Sequence, residues 1–367
     1  MVMMEIRNFF PVTEKYVFLN NAAESPLCTR VKLKLDEYLA FASEAPQNKP
    51  SPRHAVRTAL SGLLGGEPRD YALVTSTGVG VGLAAAGYPW QPGDNMVVPA
   101  DEHWNNTFPW LALREKGVEV RLAPVGADRR VSPETIAGLV DSRTRILATA
   151  AVRFDTGFRA DLKALSAIAH ASGALFLVDG IQAAGVVPLN VVDDGIDLLA
   201  SAGFKWLLGL PGTGFLYTSS AAREKIRPVL PGMFAAEDSF RELRYFNDAR
   251  RYETGSIAYS LFYAWTAGLD LLMDLRITNI HARVLALTDR LIAGLPAKRV
   301  ELVSPVEKPE ERSAILSITT GSDEGNKALF ERLMAQNIIV ALRGGRIRVS
   351  PNFFNTEAEI DRFLEAL

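Results

Sequence analysis

The sequence predicts an α/β fold with a mostly parallel central sheet, followed by a smaller α+β unit toward the C-terminus. Three observations support this prediction. Short apolar runs alternate with helical patterns through the middle of the chain, which is typical of a parallel sheet covered on both faces. After about residue 255 this alternation gives way to two long helical patterns. The 367 residues, 48% of them hydrophobic, suffice for two or three domain-sized units.

The central sheet is predicted from short runs that are apolar and bounded by Gly, Pro, Asp or Asn. These runs are YALVTST (71–77), NMVVPA (95–100), VEVRLAPV (118–125), RILATAAV (145–152), ALFLVDG (174–180), DLLASA (197–202) and GFLYTS (214–219). Helical patterns separate most of them. RADLKALSAIAHASG (159–173) has apolar residues at helical spacing and ends at Gly173, a typical helix stop.

The C-terminal part is predicted to form a small α+β domain. Its elements in order are helices near 257–273 and 278–294, strands RVELVSP (299–305) and AILSITT (314–320), a helix near 324–336, strands IIVAL (338–342) and RIRVS (346–350), and a last helix. Thr356 and Glu359 have the spacing of a capping box at the start of that helix. We therefore expect a large α/β domain at 15–255 and a small domain at 256–367, with the N-terminal segment 1–14 belonging to the small one.

The composition excludes several classes of protein. The net charge of −2 gives no electrostatic basis for binding nucleic acid or an anionic membrane, and no unbroken apolar run has the length of a membrane span. The N-terminal MVMMEIRNFF contains acidic Glu5 and lacks the layout of a signal peptide, so we expect a cytoplasmic protein. Cys28 is the only cysteine and the four histidines lack metal-ligand spacing, so neither an internal disulfide nor a metal site is expected.

Two isolated charges mark the ends of successive predicted strands. Lys205 is the only charged residue from Leu198 to Ala222, and Asp179 is the only one between Ala174 and Asn190. Taken singly, Lys205 could extend its ammonium to water, and Asp179 could cap the turn that follows it. Adjacent parallel strands would bring both to one edge of the sheet, which is where α/β proteins bind ligands.

A third strand end suits a phosphate group. VTSTGVGVG (74–82) follows a strand and opens a helical pattern, so its hydroxyls, glycines and free N–H groups can bind an anion, although such a sequence is also typical of an ordinary helix cap. A desolvated lysine can form a Schiff base, and a buried carboxylate can hold a protonated pyridine nitrogen. Together with a phosphate cradle, these are the parts of a pyridoxal phosphate site.

From YVFLNNAAESPL (16–27) to RIRVSPNFFNTEAEID (346–361), the chain resembles the class V aminotransferase family of the fold type I pyridoxal phosphate enzymes. Cysteine desulfurases and isopenicillin N epimerase-like proteins are members of the same group. The most specific part of the resemblance is LVDGIQAAGVVPLNVVDDGIDLLASAGFKWLLGLPGTGFLY (177–217), where the spacing of Asp, Gln, Lys and the Gly-rich segment matches. The resemblance implies the fold type I architecture and the cofactor pyridoxal 5′-phosphate.

The resemblance also implies roles for individual residues around the cofactor ring. Lys205 would form the Schiff base and then act as the acid/base at the substrate carbon. Asp179 would pair with the pyridinium nitrogen, and Gln182 would hydrogen-bond the phenolic oxygen. His103, in DEHWNN (101–106), matches the position whose ring stacks on the cofactor. The alternative for His103 is an ordinary surface-loop histidine.

The phosphate would be held by residues from two subunits. Ser76, Thr77 and Gly78 match the phosphate-binding turn of the same chain. RYETGSIA (251–258) matches the segment that reaches the neighbouring subunit's phosphate, with the pair Gly255–Ser256 retaining the hydroxyl. The resemblance therefore implies a homodimer with shared active sites.

The substrate is expected to be a small-molecule amino acid, held through its α-carboxylate. Arg348, in RIRVSP, matches the arginine that grips this group, a task suited to a bidentate guanidinium. Arg343 and Arg346 are close in sequence and compete for the assignment, and Arg346 would share a strand face with Arg348. Asn21 and Ala22 are expected to line the substrate pocket.

The chain departs from the family pattern at several positions, namely Phe154, Ala202, Phe204, Asn352 and Phe353. In addition, no cysteine is present in the small domain, and Cys28 matches no catalytic position. We therefore do not expect a cysteine desulfurase that works through a protein persulfide.

The expected function is transamination of an amino acid by a pyridoxal phosphate enzyme. A C–S lyase and an amino-acid epimerase begin with the same removal of the α-proton, and the residues do not separate these reactions. The rival from another class is a non-catalytic binding relative. The departures at Phe154 and Phe204 favour that rival, whereas the joint presence of Lys205, Asp179 and Arg348 favours an enzyme.

Overall fold

The computed structural model describes residues 3–237 and 241–367. The strands of this described part follow the predicted runs in order, with one additional short strand near the N-terminus. They are β1 (Val17–Phe18), β2 (Tyr71–Val74), β3 (Asn95–Pro99), β4 (Glu119–Ala123), β5 (Thr144–Ala150), β6 (Leu175–Asp179), β7 (Leu198–Ala202), β8 (Gly214–Thr218), β9 (Glu301–Leu302), β10 (Leu316–Thr319), β11 (Ile338–Ile339), β12 (Ala341–Arg343) and β13 (Arg346–Val349).

The helices of the described part are α1 (Met3–Arg7), α2 (Thr29–Glu44), α3 (Arg53–Leu64), α4 (Thr77–Gly87), α5 (Phe108–Leu111), α6 (Pro133–Ala137), α7 (Leu162–Ala171), α8 (Ser220–Lys225), α9 (Tyr259–Leu275), α10 (Ile277–Gly294), α11 (Asp323–Ala335) and α12 (Glu357–Glu365). Among them, α4, α6, α7, α8, α11 and α12 begin with a side chain that accepts a hydrogen bond from a free N–H group of the first turn. Asp161 caps α7, and the predicted capping box of Thr356 and Glu359 is present at α12.

The large sheet has the strand order β2-β8-β7-β6-β5-β3-β4. Its strands are parallel except for β8, which runs antiparallel to both β2 and β7. The predicted α/β fold with a mostly parallel sheet is confirmed. Strands β6 and β7 are parallel neighbours, and Asp179 at the end of β6 is paired with Ala200. The chain after β7 therefore starts from the same edge of the sheet as the carboxylate of Asp179.

Both faces of the large sheet are covered, because alternate residues of each strand point to opposite sides. In β6, Phe176 and Val178 lie in one buried hydrophobic cluster, and Leu175 and Leu177 lie in another. Helix α4 packs closely on the sheet at Gly80, where an added Cβ would come within 2.9 Å of the Ala200 side chain. This close contact explains the glycine at position 80, and it holds the N-terminal part of the helix against β7.

The small sheet is antiparallel, with the order β12-β13-β10-β9. It contributes Ile318 and Ile347 to a separate hydrophobic cluster, which also contains Leu287 of α10 and Phe363 of α12. Helix α9, in contrast, buries side chains such as Phe262 in the cluster of the large sheet. The division into domains at 15–255 and 256–367 stays a prediction.

The two ends of the chain are joined to each other. Strand β1 pairs in parallel with β11, and Asn20 forms a bridge to Ser350. The guanidinium of Arg7 donates to the carboxylate of Glu359, from Nη2 to Oε1 at 2.9 Å. The run 338–342, predicted as one strand, is two: β11 pairs with β1 whereas β12 pairs with β13, so the chain changes partners at Val340.

Within residues 3–237 and 241–367, no helix combines the length and the apolar character needed to cross a membrane. The same described residues contain no group of three or more His, Cys, Asp and Glu side chains that could hold a metal ion.

Candidate active site

A pocket opens at the carboxyl ends of β5, β6 and β7, beside the N-terminus of α4. It brings together residues that are distant in sequence, including most of those predicted to bind the cofactor. The pocket is lined by Ser76, Thr77, Glu102, His103, Asn105, Ala150, Val152, Phe154, Asp179, Ile181, Gln182, Ala202, Phe204 and Lys205.

Lys205 lies in the turn that follows β7 and is only 8% exposed. Burial is the main reason that its pKa is lowered to about 7, and the positive charge of Arg348 lowers it further, while Asp179 acts in the opposite direction. The Phe204 ring lies beside the amine, with Nζ 5.8 Å from the ring centroid. The lysine predicted to be reactive is therefore held in an apolar setting that favours its neutral, nucleophilic form.

Asp179 ends β6 and is almost completely buried. Its Oδ1 accepts a hydrogen bond from the backbone N–H of Ile181 at 3.0 Å. Burial raises the pKa of the carboxyl to about 6, although this backbone bond and the charge of Lys205 both favour ionisation. A buried carboxylate that accepts so few hydrogen bonds from the protein is suited to pair with a cationic ring nitrogen.

Gln182 lies between these two residues and is held by the protein on both ends of its amide. Oε1 accepts from the indole Nε1 of Trp206 at 2.9 Å, and Nε2 donates to the carbonyl oxygen of Ala22 at 3.0 Å. An amide nitrogen carries two hydrogens, so one N–H remains for another acceptor.

His103 is half-buried beside the pocket. Its Nδ1 accepts from the backbone N–H of Asn105 at 3.2 Å. Its ring meets the ring of Phe154 edge to face, with centroids 5.3 Å apart. Burial lowers the pKa of the imidazole, and the charges of Lys205, Arg343 and Arg348 lower it further. The lowered pKa favours the neutral imidazole, and the ring packs against Phe154 beside the pocket; its stacking on a cofactor stays a prediction.

The N-terminus of α4 provides donors for an anion. Ser76 caps the helix by accepting from the N–H of Val79 at 3.2 Å, while the Oγ1 of Thr77 is buried without any hydrogen-bond partner. An unsatisfied buried hydroxyl costs free energy unless a ligand completes it. With the free N–H groups of the first turn, Thr77 fits a phosphate group.

Arg348 approaches from the small sheet and is 2% exposed. Nη1 donates to the backbone oxygen of Phe154 at 2.7 Å, but Nε and Nη2 are buried and have no partner. Burial is the main reason that the pKa of this guanidinium is lowered to about 10. Two unpaired N–H groups on one guanidinium fit a carboxylate.

Asn21 and Ala22 lie next to this arginine's strand. Asn21 donates from Nδ2 to the backbone oxygen of Ser350 at 2.9 Å, and its Oδ1 is buried without a partner. The backbone N–H of Ala22 donates to the Ser350 hydroxyl. These contacts attach the N-terminal segment to the end of β13.

Gly255 and Ser256 do not line the pocket of their own chain. The carbonyl oxygen of Gly255 accepts from Arg53 at 3.1 Å, and Arg53 also pairs with buried Glu253. The segment before Ser256 is thus fixed by Arg53, at the start of α3, and not by residues of the pocket around Lys205. The shared site with a second subunit stays a prediction.

Of the titratable residues that line the pocket, one was missed from the sequence. Glu102 is 6% exposed, and its Oε1 accepts from the backbone N–H of Ala150, the residue paired with Asp179. Burial raises the pKa of this carboxyl to about 7. An acidic residue in a polar loop is usually exposed, so the sequence offers no reason to expect this carboxyl in a pocket. The only signal for it was its position directly before His103.

The chain is similar in sequence to known proteins. The sequence model of the family described as Aminotransferase class-V matches residues 17–363. A probable cysteine desulfurase of Methanothermobacter thermautotrophicus is 26% identical, over 99% of this chain and 96% of that protein. Isopenicillin N epimerase of Streptomyces clavuligerus is 27% identical, over 96% of this chain and 94% of that protein.

A solved structure has the same fold. It is described as a C-DES mutant with glycine covalently linked to the PLP cofactor, and it matches with a TM-score of 0.90 at 21% identity, covering 98% of both chains. This likeness concerns the fold, and it confirms the predicted architecture.

Proposed function

We propose that this chain, which belongs to the aminotransferase class-V family, catalyses the transamination of an amino acid in the pocket around Lys205. Its cofactor is pyridoxal 5′-phosphate, the cofactor of that family. The observation that carries the proposal is the burial of Lys205, which lowers the pKa of the amine to about 7. An amine that is largely neutral near pH 7 can act as a nucleophile and as a base.

The residues of the pocket fit the chemical groups of this cofactor. Thr77, with its unpartnered hydroxyl, would hold the phosphate together with Ser76, which also lines the pocket, and with Gly78 in the first turn of α4. Asp179 would keep the ring nitrogen protonated, and the remaining N–H of Gln182 would donate to the phenolic oxygen. The half-buried ring of His103 would pack on the ring of the cofactor.

When bound, pyridoxal phosphate supplies an electron sink that makes the α-proton of an attached amino acid acidic. Lys205 would then remove this proton and return it to a carbon, as general base and general acid. Arg348 would hold the α-carboxylate through Nε and Nη2, which have no partner in the protein. The apolar walls at Phe154 and Phe204 would keep water away from the amine.

We further propose that the active unit is a homodimer. The support is the position of Ser256, which follows a segment anchored by Arg53 and Glu253 and does not reach the pocket of its own chain. In a dimer this hydroxyl would reach the phosphate of the other subunit. The site would then need two chains for its full set of donors.

A C–S lyase or an epimerase is the second candidate, because the relatives include proteins named as a cysteine desulfurase and as isopenicillin N epimerase. Desulfuration through a protein persulfide is not part of this proposal. Such a reaction needs an accessible thiolate, and Cys28 is the only cysteine of the chain. Its thiol is buried before α2, and burial raises its pKa.

The test is an absorption spectrum followed by a product assay. The purified protein with pyridoxal phosphate should absorb visible light and convert amino acids to keto acids with transfer of the amino group. Lys205→Ala should abolish the visible band and reduce turnover by about 10³-fold or more. Lys327→Ala, which removes an exposed lysine of α11, is the matched control and should change neither readout.

A wild-type protein that stays colourless with added cofactor would overturn the enzyme proposal and favour a non-catalytic relative. Release of sulfide, or formation of the opposite enantiomer without keto acid, would replace transamination by the second candidate.

A further inference from the structure

Arg343 occupies a position related to Arg348 by the register of the small sheet. Strand β12 pairs antiparallel with β13, and the residue directly opposite Arg348 is Ala341. Arg343 is two residues further along β12, so it projects from the same face of the sheet as Arg348. Such diagonal neighbours lie about 7–8 Å apart, within reach of long side chains.

The turn that carries Arg343 is tightly defined. Gly344 and Gly345 connect β12 to β13, and both have positive φ, at 53° and 72°. This is the geometry of a two-residue hairpin that only glycine adopts readily. The turn is also fastened to α11, because Asn326 donates from Nδ2 to the carbonyl oxygen of Gly345 at 2.6 Å. The backbone of Arg343 therefore has one fixed position, although its side chain is exposed.

The guanidinium of Arg343 has no ion-pair or hydrogen-bond partner among residues 3–237 and 241–367. Burial is the main cause of the lowered pKa values of Lys205, His103 and Arg348, and the charge of Arg343 lowers each of them further. Arg346 is the residue directly opposite Arg343 on the same face. Within the described part of the chain, its charge is not among the main causes of the lowered pKa values of Lys205, His103 and Arg348.

We propose that the substrate is an amino acid whose side chain carries a second acidic group, and that Arg343 binds this group. The inference rests on the proposed function, in which Arg348 takes the α-carboxylate. A short diacid could then bridge two guanidinium groups that project from one sheet face. Near Lys205, Phe154 and Phe204 offer aromatic side chains, so a charged distal group would rely on Arg343 for its partner.

The charge of the pocket agrees with this substrate class. Asp179 and Glu102 are both buried in the pocket, where Asp179 would be used by the cofactor and Glu102 is bonded to the backbone. The other charged groups that act on the amine of Lys205 are the two arginines Arg343 and Arg348. A substrate with two negatively charged groups would neutralise the positive charges of both arginines.

The experiment is a binding titration of the holoenzyme, followed through the change in its visible spectrum. Glutamate and aspartate are compared with glutamine and asparagine, which have nearly the same shape without the charge. Wild-type protein should bind the acidic member of each pair at least about tenfold more tightly. Arg343→Gln should remove this preference, Arg343→Lys should keep part of it, and Arg346→Gln, the matched control, should retain it.

Equal binding of acidic and neutral amino acids by the wild type, or an unchanged preference in Arg343→Gln, would overturn the inference. In either case the visible band and its response to amino acids would still support the proposed function. If the band were absent, or if no amino acid changed it, the proposed function itself would fail, and the inference with it.

Discussion

Trp206 orients the amide of Gln182 from a position directly after the lysine. The indole Nε1 donates to Oε1 of Gln182 at 2.9 Å, and the side chain of Trp206 is fully buried. Because the oxygen of the amide is engaged in this way, its nitrogen must face Ala22 and the pocket. The residue next to Lys205 thus determines which end of the Gln182 amide accepts a hydrogen bond from the protein and which end keeps a free N–H.

Replacing Trp206 by Phe should therefore disturb the cofactor without removing any group that contacts it. The change leaves Oε1 of Gln182 without a donor, so the amide can rotate, and we expect cofactor affinity to fall roughly 3- to 30-fold. Equilibrium dialysis and the wavelength of the visible band are the measurements. Trp265→Phe is the control, because its indole donates to the backbone oxygen of Leu207. An equal loss in both variants would show a general packing defect instead.

The central sheet and the placement of Asp179 and Lys205 at one edge of it were predictable from the sequence. Two isolated charges of opposite sign follow successive apolar strands, and parallel neighbours end at the same edge. The alternation of strands and helices was enough to place them there. Nothing beyond local pattern was needed for this part of the site.

Other features depend on contacts that local pattern does not reveal. The run 338–342 reads as one strand, yet its two halves pair with β1 and β13, which are far apart in sequence. The buried carboxylate of Glu102 accepts a hydrogen bond from the backbone N–H of Ala150, which is 48 residues away. The shared face of Arg343 and Arg348 follows only from the register of β12 with β13. In each case, a partner more than a few residues away decides the outcome.

The lowered pKa of Lys205 makes a prediction about stability in the cofactor-free protein. The unfolded chain keeps this lysine protonated up to its ordinary pKa of 10.5, whereas the native state releases the proton above about 7. Between these values the unfolded state binds more protons, so the native state gains stability as pH rises.

Lys205→Met should remove this dependence. Near pH 7 the cofactor-free variant should be more stable than the wild type by roughly 1 to 3 kcal/mol, and the difference should shrink as pH rises toward 10. Urea denaturation of both proteins from pH 6 to 9.5 measures the difference. A constant or growing difference over that range would mean that the amine is not desolvated as described.

Mixed dimers test whether two chains share each site. Lys205→Ala and Ser256→Ala proteins should both be weak alone, the first in chemistry and the second in cofactor retention. Subunit exchange between them produces mixed dimers in which one site has wild-type Lys205 from one chain and wild-type Ser256 from the other. With random exchange, about a quarter of all sites should become intact.

Activity at low cofactor concentration is the measurement for this experiment. It should rise after mixing toward that fraction of the wild-type value. Mixing Lys205→Ala with itself, after the same exchange treatment, is the control. If activity stayed at the average of the two variants, Ser256 would not contribute to the site of the other chain. The proposal that two chains share each active site would then be wrong.

The ion pair between Arg7 and Glu359 has a consequence for the order in which the chain folds during synthesis. These residues are separated by 352 positions, so the N-terminal segment leaves the ribosome long before its partner exists. Strand β1 likewise cannot form its ladder until its pairing partner β11 has been synthesised. Because such distant contacts form late, the contact between Asn21 and Ser350, at the end of the strand that carries Arg348, would form only after that strand has been synthesised. A nascent chain would therefore contain Lys205 before it contains Arg348, the residue proposed to hold the substrate.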